Sequence, residues 1–159
     1  MKKICTLIIA CILSPLAMLA QQDTNDTDFF QALFGVDKLT IVKDFITVDS
    51  ENKDAFWEIY KAYEADRKEL RSERIALITD YAENYTSLSN DKIEELCKRS
   101  LKQSKNNAKN IEKYFKKLKK AGGPRAAAQF LQIENYFLSL SKTAVYENVP
   151  FIGELDKVE

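Results

Sequence analysis

Apolar positions recur along this chain at the three- and four-residue steps of an α-helix, and the pattern breaks at only a few places. Phe56, Tyr60, Tyr63, Leu70, Leu77, Tyr81 and Leu88 follow one another at such steps or their sums, which predicts a helix from Asp49 to about Tyr85. At ~1.5 Å per residue it would extend ~55 Å. Arg67 and Arg74 fall on the same stripe, where each must either reach past its apolar neighbours to water or meet a carboxylate inside the packing. Residues 85–91 interrupt the period, and Ser89 or Asn90 can cap a following helix with apolar positions Ile93, Cys97, Leu101, Ala108, Ile111, Phe115 and Leu118. Ala121-Gly122-Gly123-Pro124 then ends that helix and starts another. The new one carries Phe130, Ile133, Phe137, Leu140 and Ala144 on one face, with Leu131, Leu138 and Val145 beside it, until Pro150 closes the pattern. Upstream, Phe29, Phe30, Leu33 and Phe34 predict a short helix ended by Gly35, and Leu39, Val42, Phe45 and Ile46 predict another apolar face.

These elements amount to an all-α fold with four main helices, of which the second and third form a long antiparallel hairpin. Apolar residues on two sides of the last helix exceed what one neighbour can cover, so the chain is expected to form a homodimer. Glu134, next to the apolar Ile133 face, is expected near Arg67 or Arg74, because a carboxylate and an arginine in such surroundings each need a partner.

The amino terminus has a different character. Met1-Lys2-Lys3 precedes an uncharged apolar run from Ile4 to Ala20, the signature of a secretory signal peptide removed on export to the periplasm. Ile8-Ile9-Ala10-Cys11 resembles a lipobox, but the apolar run continues past Cys11 through Ile12, Leu13, Leu16 and Leu19, so a lipoprotein is the secondary expectation. Residues 21–28 are polar and acidic and read as a lead-in, residues 29–152 as one helical domain, and residues 153–159 as a tail.

Without Lys2 and Lys3 the chain has 22 basic and 24 acidic residues, a balance that argues against nucleic acid as a partner. Histidine is absent, which removes Ser/His and Cys/His nucleophile systems and the commonest transition-metal ligand. Two of the three cysteines lie in the signal segment, leaving Cys97 alone, and its spacing from apolar neighbours predicts burial. Carboxylate pairs such as Glu94-Glu95 and Glu69/Glu73 are the ordinary product of charged helices, so no enzyme activity, metal or cofactor is expected.

Charge is nevertheless uneven. Between Lys98 and Lys120 stand ten basic residues and one acidic residue, Glu112. Lys98, Lys102, Lys105, Lys109, Lys113, Lys116 and Lys120 step by three or four and share an arc of ~80° on a helix turning ~100° per residue. Solvated helix faces normally interleave both signs. Here neighbours repel, so either the acidic residues of the preceding helix neutralise the ridge or an acidic partner does. An anionic membrane surface is a less favoured taker, because the ridge stands well away from the apolar stripe.

Val48-Asp49-Ser50-Glu51-Asn52 leads into Phe56-Trp57-Glu58-Ile59-Tyr60, and Asp49 with Asn52 can form a capping box at the start of the long helix. Gln132-Ile133-Glu134-Asn135 lies in the last helix, with Val149-Pro150-Phe151-Ile152 after it. In order and spacing these residues resemble the Spy/CpxP-like periplasmic family, marked by Leu-Thr-x-x-Gln motifs, in the branch with Phe-Trp-x-x-Tyr and Gln-x-Glu-Asn signatures. The second motif copy is replaced here by Gly122-Gly123-Pro124-Arg125-Ala126. The resemblance implies a cradle-shaped antiparallel dimer that binds unfolded or stressed envelope proteins without ATP. It equally implies, as the alternative, an inhibitory partner of a membrane signalling system such as a sensor kinase or an extracytoplasmic-function sigma-factor pathway. The lysine ridge is the expected client- or partner-binding surface. Asp49, Asn52, Phe56, Trp57, Tyr60, Gln132, Glu134 and Asn135 are the motif residues that support the fold.

Overall fold

The computed structural model describes residues 35–154. The expected signal peptide with Cys11, the expected lead-in, the short helix expected over residues 29–34 and residues 155–159 of the tail lie outside the described residues. Two compact units meet in sequence between Ile41 and Val42. The described residues form three α-helices and no strand, in agreement with an all-α fold: α1 (Lys38–Phe45), α2 (Lys53–Asn84) and α3 (Asn90–Asn148).

Asp37 caps α1. Its carboxylate accepts the Thr40 backbone N–H at 3.0 Å and the Thr40 hydroxyl at 2.8 Å, which holds the carboxyl below its usual range. Of the apolar residues expected on one face there, Val42 and Ile46 are buried whereas Leu39 and Phe45 are exposed. Gln129 of α3 fixes the chain beyond α1 at two points. Its carboxamide donates to the Phe45 carbonyl and accepts from the Thr47 N–H, both at 3.0 Å.

A 3₁₀ turn at Ser50–Asn52 precedes α2, and the Asn52 N–H donates to the Asp49 carbonyl at 3.1 Å. The expected capping box is therefore not formed: Asn52 occupies the cap position but makes no side-chain capping bond. In that tight turn the backbone satisfies itself, and both side chains point into solvent. At the other end Asn84 donates to both the carbonyl and the carboxylate of Asp80, and a second 3₁₀ turn, Tyr85–Ser87, leads to α3. Ser89 caps α3 as the sequence suggests, accepting the Lys92 N–H at 3.2 Å.

Gly122 and Gly123, where the sequence ends one helix and starts another, form a kink that breaks α3 into two helical stretches. Gly123 alone leaves helical geometry, at φ 80° and ψ 174°, a region open essentially to glycine, and Pro124 then begins a fresh first turn where its missing N–H is not needed. The kink divides α3 into a first arm, residues 90–122, and a second arm, residues 124–148. Along the first arm Asp80 meets Arg99, Leu70 meets Gln103, and Ala62 meets Tyr114, so its numbering rises as that of α2 falls. Along the second arm Tyr63 meets Phe130, Arg74 meets Ser141, and Tyr81 meets Pro150, so both numberings rise together.

The core sits where the three segments converge near the kink. Phe56, Tyr60 and Tyr63 of α2 pack with Tyr114, Leu118, Ala126, Ala127, Phe130, Ile133 and Phe137 of α3, all buried. Ring pairs meet edge to face, Tyr63 with Phe130 at 4.9 Å and Tyr63 with Tyr114 at 5.4 Å between centroids. Gly122 permits this approach, since a Cβ there would stand 2.6 Å from Cδ2 of Phe56.

The first arm corrects the expected stripe. Leu96, Asn110, Tyr114 and Leu118 are buried, while Cys97 and Ala108 are exposed and Leu101 is 73% exposed. The inward face is turned by about one residue from the stripe through Cys97 and Ala108. That turn buries the Tyr114 ring against Tyr63, and a buried aromatic ring removes ~150–250 Å² from water. Ile93, Ile111 and Phe115 of the expected stripe are left half-buried at the edge of this face. Cys97 is accordingly an exposed thiol, contrary to its expected burial.

Candidate functional site

Two features concentrate chemistry. The first is a box around Glu134, whose residue is only 3% exposed although it carries a carboxylate. The Tyr60 hydroxyl donates to one of its oxygens at 3.0 Å and the Tyr63 hydroxyl to the other at 2.8 Å. Burial pushes both phenols well above their ordinary range, and the negative charge of Glu134 acts in the same direction. Arg67, with 18% of its side chain exposed, forks onto Glu64 at 3.1 and 3.0 Å. Burial lowers its guanidinium to about 10, while the charge of Glu134 pulls it back up. The expected company of Glu134 and Arg67 is thus present as an electrostatic interaction. Arg74 instead donates to the Ser141 carbonyl at 3.0 Å.

Sequence reasoning missed the two tyrosine donors. Their signal was the three-residue step that puts both hydroxyls on the stripe facing the last helix. Of the motif residues, Phe56 and Tyr60 join Glu134 in the core, and Trp57 lies half-buried beside them, 5.2 Å from Phe56 and 5.6 Å from Tyr60 between ring centroids. Lys43 sits 5.9 Å from the Trp57 ring. Asp49, Asn52, Gln132 and Asn135 are exposed and take no part in the box.

The second feature is the lysine ridge. All seven lysines are exposed, on the side of the first arm away from its buried face. Three have acidic partners. Lys98 meets Glu94 at 2.5 Å, Lys113 meets Asp66 at 2.7 Å, and Lys116 meets Glu112. Lys113 and Lys117 also lie 4.8 and 5.0 Å from the Tyr114 ring. Among the described residues, Lys102, Lys105, Lys109 and Lys120 form no ion pair, and neither do the exposed carboxylates Glu58, Glu69, Glu73 and Glu83 of α2.

Where α2 does answer the basic arm, it does so at the borders. Hydrogen bonds from Lys113 and then Tyr114 hold the Asp66 carboxyl below its usual range, and Lys92 and then Arg99 do the same for Asp80. No family model, no curated protein and no solved structure matches this chain.

Among the described residues, no three Cys, Asp or Glu side chains gather so as to hold a metal ion, and no helix is long and apolar enough to cross a membrane. The Glu134 box is closed by its own donors and works as a structural tie between α2 and the second arm. The ridge offers unpaired positive charge beside an exposed leucine.

Proposed function

We propose that this chain is an exported, ATP-independent chaperone-like protein that binds unfolded or stressed envelope proteins. The observation that carries the reading is the run of three unpaired, exposed lysines, Lys102, Lys105 and Lys109, with the 73% exposed Leu101 at its edge. Positive charge on a helix face draws an anionic unfolded segment from a distance and speeds encounter. A single large apolar side chain then holds it weakly enough to release. The working unit in this reading is a cradle-shaped dimer with four helical segments per chain, two of them in a long antiparallel hairpin. Exposed Leu131, Tyr136 and Tyr146 on the second arm support the dimer contact. The Spy/CpxP-like order of motifs and the apolar amino-terminal run support export to the periplasm.

The test is breadth of binding. The purified chain lacking residues 1–20, without nucleotide, should suppress aggregation of several unrelated proteins as they unfold. Capture of a single envelope protein with no effect on aggregation overturns the chaperone reading in favour of an inhibitory partner of a membrane signalling system. Turnover that depends on one carboxylate overturns both.

A further inference from the structure

We infer that the free part of the lysine ridge is a docking face for α2 of a second copy, so that the protein covers its own capture surface when no client is present. The occupant is named by what α2 shows to solvent. Glu58, Glu69, Glu73 and Glu83 are exposed, form no ion pair among the described residues, and share an arc of ~80° at ~100° per residue. Ala62, Ala65 and Ala76, also exposed, lie between them on that arc and leave room for another helix to approach.

The spacing matches as well as the sign. Glu58, Glu69 and Glu73 are separated by eleven and four residues, and Lys120, Lys109 and Lys105 by the same intervals in the reverse direction. An antiparallel helix from a second copy therefore brings three carboxylates level with three ammonium groups over ~22 Å of axis. Both faces border the line where Asp66 meets Lys113, so one pair of copies can make the contact twice, each giving its α2 to the other's first arm. The contact is electrostatic and separate from the apolar second arm.

That the contact regulates capture rests on the client-binding reading; that it forms does not. Light scattering on the chain lacking residues 1–20 tests it. The mass-average mass should rise about twofold between ~0.5 M and ~0.02 M salt, where screening relaxes from a few ångströms to about 20 Å. Glu58→Lys/Glu69→Lys/Glu73→Lys and Lys105→Glu/Lys109→Glu/Lys120→Glu should each lose that rise, with helical circular dichroism retained. Mixing the two should restore it, because each then carries the face the other lacks. Neutral Gln replacements replace either set if charge reversal unfolds it, and must show the same loss. No salt-sensitive rise in the unmodified chain, or no restoration on mixing the charge-reversed pair, overturns the contact. In parallel, the α2 variant, with its ridge bare, should capture reduced α-lactalbumin several-fold faster at ~0.02 M salt. If the masses behave as stated and capture does not change, the contact stands and the client-binding reading falls.

Discussion

Glu134 is the residue whose surroundings are most demanding. A buried carboxylate is tolerated when donors surround it, and removing one side of such an arrangement leaves the other uncompensated. Glu134→Gln keeps the shape but withdraws the charge that supports Arg67, and should cost about 3 kcal/mol in urea unfolding. Tyr63→Phe removes only one hydroxyl and should cost about 1.5–3 kcal/mol, the range for a hydrogen bond to a charged group. The same box sets a limit at high pH. In the unfolded chain tyrosines ionise near about 10, whereas folded Tyr60 and Tyr63 keep their protons above that. Protons are then bound more tightly by the folded state, so stability present below pH about 10 is lost as pH rises beyond it. Phenolate absorbance should show these two tyrosines titrating together with unfolding, and Tyr60→Phe/Tyr63→Phe should remove that step. A smooth titration of both without loss of helix would contradict the geometry.

At the scale of the element, the kink at Gly122 and Gly123 decides whether the second arm can return along α2. Gly122→Ala places a methyl group against the buried Phe56 ring and should cost about 1–3 kcal/mol, as overpacking does. Gly123→Ala meets no atom but must take a backbone region nearly closed to other residues, also about 1–3 kcal/mol. Thermal melts of both variants and of the pair check this. The kink was legible because glycine and proline punctuate a helix in a fixed order. So were α2, the Ser89 cap and the aromatic face of the second arm, where large apolar residues recur at helical steps. The inward face of the first arm was not legible, since its positions read Gln103, Asn107, Asn110 and Tyr114, and a polar seam leaves no apolar period to count. Nor was the division of the ridge into paired and unpaired lysines, because ion pairs between helices depend on their rotation about one another.

For the whole molecule, charge and packing act on opposite faces of the first arm of α3. Below the concentration at which copies associate, Lys102→Gln/Lys105→Gln/Lys109→Gln/Lys116→Gln should slow client capture several-fold with helical content unchanged. Raising salt through ~0.15 M, where fields reach only ~8 Å, should slow the unmodified chain similarly. A fall in melting temperature with unaltered capture would mean that α2 neutralises the ridge internally. The polar seam has a consequence of its own. Beyond Tyr63, α2 has no fully buried side chain, and between Leu96 and Tyr114 the first arm buries only Asn110, whose amide nitrogen has no hydrogen-bond partner among the described residues. Little apolar area is lost when these stretches part, so their backbone amides should trade hydrogen for deuterium through local opening well before those around Phe56 and Phe130. The helix pair is thus clamped near the kink and loosely closed elsewhere, and it can part along much of its length while the aromatic core stays folded.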